Sequence, residues 1–95
     1  MKYKFTYHPA VKKVDLPKID SRNKSMIKRA IEERLATQPE IYGSPLKATL
    51  KGYWKLRVGN YRIVFKISGN DIRIFAIIDR KTVYRQSERR VDDRR

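Results

Sequence analysis

Apolar and polar residues alternate most clearly from Tyr53 to Ile67, where two runs, Tyr53 to Val58 and Tyr61 to Ile67, flank Gly59-Asn60. Alternation predicts two strands. A two-residue link opened by glycine predicts a tight hairpin, because glycine supplies the positive φ of a type II′ turn. The register follows from that turn: Val58 faces Tyr61, Arg57 faces Arg62, Leu56 faces Ile63, Lys55 faces Val64 and Trp54 faces Phe65. Opposed residues share a face of the sheet. Trp54, Leu56, Val58, Tyr61, Ile63, Phe65 and Ile67 then make a core face, and Tyr53, Lys55, Arg57, Arg62, Val64 and Lys66 make the other. Setting Arg57 against Arg62 is unfavourable unless an anion lies between them.

The flanking sequence reads in the same way. Tyr3 to Tyr7 alternates and predicts a first strand, ended by His8-Pro9. Ala10 to Val14 predicts a short helix closed by Leu16-Pro17. A longer helix follows, capped by Asp20 or Ser21, with Ile19, Asn23, Met26, Ile27, Ala30, Ile31 and Leu35 at helical spacing. Gln38-Pro39 stops it, and residues 40–52 read as a connector. Ser68-Gly69-Asn70-Asp71 is a second turn into a strand from Ile72 to Ile78, with Ile67 facing Ile72, Phe65 facing Ile74 and Ile63 facing Ala76. That strand is also apolar on its outer side, at Phe75 and Ile77, which calls for cover by the tail or a partner. The expected class is α+β: an N-terminal strand, two helices, then an antiparallel β-meander, with the helices packed on one face of the sheet. One domain is expected over residues 1–95, with 85–95 a basic C-terminal tail.

Charge changes the picture more than length does. The 95 residues hold 24 Lys and Arg against 10 Asp and Glu, a net +14, which points to a polyanionic partner and above all to nucleic acid. The absence of cysteine excludes disulfides, thiolate metal sites and cysteine nucleophiles. No apolar run reaches membrane-spanning length and the N-terminus lacks a signal-peptide core, so a cytoplasmic protein with no membrane partner is expected. His8 is the sole histidine, no metal-binding cluster stands out, and no cofactor is expected.

What remains is a cationic and phenolic set: Lys55, Arg57, Arg62, Arg80 and Tyr84. Guanidinium grips phosphate through paired hydrogen bonds, and the amine and guanidinium bind it without losing a proton. Cleaving RNA without metal needs a base for the 2′-hydroxyl, cations for the phosphorane and an acid for the leaving oxygen. A tyrosine or lysine serves as base where neighbouring positive charge lowers its pKa. Lys66, Lys47, Lys51, Lys81 and Arg85 are further candidates for binding RNA. By spacing alone, the strand cations read equally well as ordinary solvent-facing residues and Tyr84 as a packed aromatic.

The run from Pro45-Leu46-Lys47 through Gly52-Tyr53-Trp54-Lys55-Leu56-Arg57-Val58-Gly59-Asn60-Tyr61-Arg62-Ile63-Val64, with Asp79-Arg80-Lys81-Thr82-Val83-Tyr84 downstream, resembles the RelE/ParE superfamily of bacterial toxin–antitoxin toxins, on its RelE-like side. The resemblance covers the chain to about Tyr84 and implies the RelE-like fold. It implies a ribosome-dependent, metal-independent messenger RNA endonuclease that cuts by 2′-hydroxyl attack and inhibits translation. By that likeness Lys55 contacts the scissile region or acts as base, with Arg57 a supporting cation. Arg62 stabilises the transition-state phosphate, Arg80 is acid or phosphate clamp, and Tyr84 orients or deprotonates the ribose hydroxyl. The implied partners are ribosome, messenger RNA and a wrapping RelB-like antitoxin, the complex binding operator DNA through the antitoxin. Such an antitoxin would also cover the apolar outer face of the third strand. Two positions depart from the pattern. Asp79 stands where many relatives carry histidine or lysine and would act as a base or weaken phosphate binding, and Tyr53 stands where some carry a second lysine. The alternatives are a ParE-like DNA gyrase inhibitor and a non-catalytic RNA- or ribosome-binding protein.

Overall fold

In the computed structural model, which describes residues 3–47 and 50–79, the first alternating run forms β1 (Lys4–Tyr7). A helical stretch follows through Val11–Asp15 and Leu16–Lys18. It overruns the expected close at Leu16-Pro17, because Pro17 occupies the start of the last turn, where a missing N–H removes no helical bond. α1 (Ser21–Ala30) begins at Asp20, whose carboxylate accepts the Asn23 N–H at 2.8 Å. It runs on as a wider π-helical turn, Ile31–Leu35, in which the Ala36 N–H donates to the Ile31 carbonyl. Pro39 then does more than stop a helix. It opens a short one, α2 (Pro39–Tyr42), inside the expected connector, and β2 (Ser44–Pro45) follows.

The hairpin forms as the pattern requires. Gly59 takes φ +56° between β3 (Trp54–Val58) and β4 (Tyr61–Ser68), and all five expected pairs across it are present. β5 (Asp71–Asp79) completes a five-stranded sheet in the order β1-β5-β4-β3-β2. β1 runs parallel to β5, and the other pairings are antiparallel. Pro45 lies on the edge strand, where its missing N–H removes no ladder bond.

One expected pairing fails. Ile67 faces Ile72 and Phe65 faces Ile74, but Val64 then faces Ala76 and Ile63 faces Ile77, with a bulge between Val64 and Phe65. Phe75 is the extra residue, and an extra residue reverses the in-out alternation of everything beyond it. Ile77 therefore joins the helix-side core, while Phe75, Ala76 and Ile78 lie on the far side.

The sheet thus has two apolar layers. On one face Val11, Ile19, Ile27, Ala30, Ile31 and Leu35 of the helical segments pack against Leu56, Val58, Ile63, Phe65, Ile72, Ile74 and Ile77. On the other, Leu50 and Tyr53 pack with Val64, Phe75, Ala76 and Ile78, and Leu46 leans on them. Each fully buried aliphatic or aromatic side chain contributes about 1.5–3 kcal/mol. The outer face of the third strand is thereby buried within the chain itself, and it needs no antitoxin to cover it. Met26, expected in the helical core stripe, is instead exposed near the hairpin turn.

Candidate nucleic-acid interface

Lys55, Arg57 and Arg62 come together. With Tyr42 and Ser44 they line a cavity of about 280 Å³ on the face opposite the helices. β3 positions Lys55 and Arg57 two residues apart, so both project to that side, and the hairpin register sets Arg62 directly across from Arg57. Lys55 is also the register partner of Ser44 on β2, which brings the end of α2 and its Tyr42 beside the cations. Lys55 and Arg62 are half-buried and Arg57 is exposed. Among the described residues, none that lines the cavity is acidic.

Arg62 is held by its own turn. Its Nη1 donates to the Tyr61 carbonyl at 3.0 Å and more weakly to that of Gly59 at 3.4 Å. Those carbonyls fix the guanidinium at the hairpin end of the groove while Arg57 stands opposite. Such a cluster suits a phosphodiester, because charge-assisted bonds to phosphate are roughly twice as strong as neutral ones. Tyr42, 49% exposed, adds an aromatic surface on which a base can stack.

The remaining candidates are spread out. Lys66 is exposed at the other end of β4, its Nζ 5.5 Å from the centre of the Tyr53 ring. Lys47 and Lys51 are exposed on the segment that leads from β2 to β3. Tyr53 itself is buried, its ring 4.9 Å from that of Phe75, and it takes no part in the groove. Arg80, Lys81, Tyr84 and Arg85 lie outside the described residues, as does the 85–95 tail. Asp79 is the partner of Tyr61 and lies on the helix side of the sheet, in a polar cavity of about 250 Å³ shared with Asp15 and Lys18. Asp79 therefore does not line the groove.

Sequence reasoning missed two residues of the groove and one buried carboxylate away from it. Tyr42 and Ser44 fell in the connector, where a four-residue helix and a two-residue strand are too short for any periodicity to register. Asp15 is that carboxylate. It is buried, and its Oδ2 accepts the Ile77 N–H at 2.9 Å, past the point where β1 ends and leaves that edge of β5 without a strand. Among the described residues, no three His, Cys, Asp or Glu side chains are grouped to hold a metal ion, and no helix is long and apolar enough to cross a membrane.

Residues 6–84 match the family described as the ParE toxin of the type II toxin–antitoxin system parDE. The chain belongs to that family. It is a type II toxin of the RelE/ParE superfamily, and solved structures show the same fold. The toxin–antitoxin complex RelBE2 from Mycobacterium tuberculosis contains a chain with 22% identity and a TM-score of 0.77, over 83% of this toxin and 99% of that chain. The RelB–RelE antitoxin–toxin complex from Methanococcus jannaschii gives 25% identity and a TM-score of 0.65, over 85% and 96%. The YoeB–YefM complex from Staphylococcus aureus gives 24% and 0.55, over 81% and 95%. No curated protein matches the sequence.

Proposed function

We propose that this toxin is a ribosome-dependent, metal-independent endoribonuclease that cuts messenger RNA by 2′-hydroxyl attack and so stops translation. The observation that carries the reading is the groove where Lys55, Arg57 and Arg62 converge beside Tyr42, with no acidic lining among the described residues. In the reaction the 2′-oxygen bonds to phosphorus as its proton passes to a base. The bond from phosphorus to the 5′-oxygen then breaks as that oxygen takes a proton. Arg62 and Arg57 offset the charge that builds on the phosphorane oxygens, which is why a metal is not required. Lys55 contacts the scissile region.

Tyr84 orients or deprotonates the hydroxyl, and Arg80 clamps the phosphate or protonates the leaving oxygen. Supporting their inclusion, Ile78 is the register partner of Arg62, so Asp79, to which Arg80 is bonded, ends β5 beside the groove's row of the sheet. The partner that silences the toxin is a RelB-like antitoxin, a reading supported by neighbours solved as complexes with RelB and YefM.

Inducing the wild type and Arg62→Ala in cells, and mapping 5′ ends in messages, tests the reading. New ends and arrested translation are expected from the wild type, and a loss of about 10²–10³-fold from the variant. A second reading, inhibition of DNA gyrase, is favoured by the ParE family match. Loss of supercoiling before any effect on translation, with no new 5′ ends, would establish that reading and overturn the first. Arrested translation without new ends would instead mark a non-catalytic ribosome binder.

A further inference from the structure

The groove is not the only place on its face where like charges are set against each other. Lys66 on β4 is the direct partner of Arg73 on β5, and Thr6 of β1 is the partner of Arg73 on its other side. All three project to the groove side of the sheet, since Phe65, Ile72 and Ile74 between them belong to the helix-side core. The Arg73 side chain carries a second anomaly. Its Nε is buried and has no hydrogen-bond partner among the described residues. Buried polar donors are almost always matched, so an unmatched guanidinium N–H on a residue whose strand partner is also cationic marks a position that an anion completes. Asp71, two residues along β5, is the register partner of Lys4 of β1.

We propose that Lys66 and Arg73 form a second phosphate-binding point, with Thr6 as a neutral donor, that holds the RNA upstream or downstream of the scissile bond. The proposal rests on the nuclease reading and extends it. Lys66 is four residues from Arg62 on one strand, about 13 Å along the sheet, a span that a short piece of single-stranded RNA bridges. Between the two points the Leu46 and Leu50 segment packs over Tyr53, Val64 and Phe75, and this segment exposes Lys47 and Lys51. The face therefore carries cations at both ends and over the middle. The net charge of +14 and the alignment of this cluster with the groove favour a nucleic-acid strand over an acidic peptide. A polyphosphate backbone engages each in turn.

The test is fluorescence anisotropy with a labelled single-stranded RNA of mixed sequence, titrated over a range of salt. The proteins are the wild type, Lys66→Gln, Arg73→Gln, Arg73→Lys and, as a helix-side control with the same charge loss, Lys13→Gln. Circular dichroism and the urea midpoint check each fold. Lys66→Gln and Arg73→Gln should each weaken binding several-fold and flatten the log K against log salt slope by about 0.7, the single-strand increment for one phosphate contact. Arg73→Lys should restore the slope but not the full affinity, because it returns the charge without the Nε donor. Slopes equal to that of Lys13→Gln would overturn the site while leaving the groove intact. Weakened binding of an oligoglutamate peptide with unchanged RNA binding would overturn the assignment to RNA. A wild type that binds no RNA at all would remove the nuclease reading together with this one.

Discussion

Arg57 and Arg62 stand directly opposite each other across the hairpin, on the face away from the helices, with the Arg62 guanidinium tied back to the Tyr61 carbonyl. Two like charges in register destabilise a strand pair by about 0.2–1 kcal/mol. Arg57→Gln should therefore raise the urea midpoint slightly at low ionic strength, and the gain should fade as salt screens the wild-type repulsion. The same variant should bind RNA more weakly. A variant that loses stability would show that Arg57 holds the hairpin rather than a ligand.

Tyr42 stacks a base beside the cations in the proposed complex. Base–aromatic stacking contributes about 1–3 kcal/mol, so Tyr42→Ala should weaken RNA binding about 5- to 150-fold. Tyr42→Phe should bind as the wild type does, since the ring and not the hydroxyl is used. Titration of both variants with a short RNA decides this.

Asp15→Ala should cost about 1–3 kcal/mol in urea unfolding. It leaves the Ile77 N–H without the carboxylate that accepts it in a buried setting. Amide exchange at Ile77 should accelerate with it, which a loss of packing alone would not confine to one amide.

At Gly43 a Cβ would lie 2.7 Å from Cζ of Phe65 and 2.8 Å from the Pro39 carbonyl oxygen. The backbone contact cannot give way by a rotamer change, and Phe65 is fully buried. Gly43→Ala should thus destabilise the fold by about 1–3 kcal/mol and displace α2, carrying Tyr42 away from Lys55. Lower thermal stability together with weaker RNA binding is the expected pair of outcomes.

Burial, and to a lesser degree the Glu32 carboxylate, raise the Tyr7 phenol above its ordinary value of 10.0. Folding is then favoured by the neutral phenol below pH 10.0, and that contribution is lost as pH rises through the higher folded value. Tyr7→Phe removes the titration. Its urea midpoint should fall less than that of the wild type between pH 9 and pH 11, as paired denaturation curves at the two pH values would reveal.

Much of this was legible in advance where the controlling forces are local. A two-residue turn leaves one register open to the strands beside it, so the pattern alone puts Lys55, Arg57 and Arg62 on one face. The cap at Asp20 depends on a residue three positions away. The segment around Phe75 was not legible for a specific reason. Ile74 through Ile78 is apolar without interruption, so alternation carries no information about which side each residue faces.

The sequence by itself determined the hairpin, its register, the cationic face and, Met26 apart, the apolar stripe of the long helix, because each rests on a period or a turn within a few neighbouring residues. The tertiary structure alone decided that Phe75 bulges, that Asp15 reaches an amide 62 residues away, and that Tyr42 and Ser44 line the groove with Lys55. Those outcomes depend on two apolar layers competing for one strand and on an edge that β1 is too short to cover. Neither competition is written in the spacing of residues along the chain.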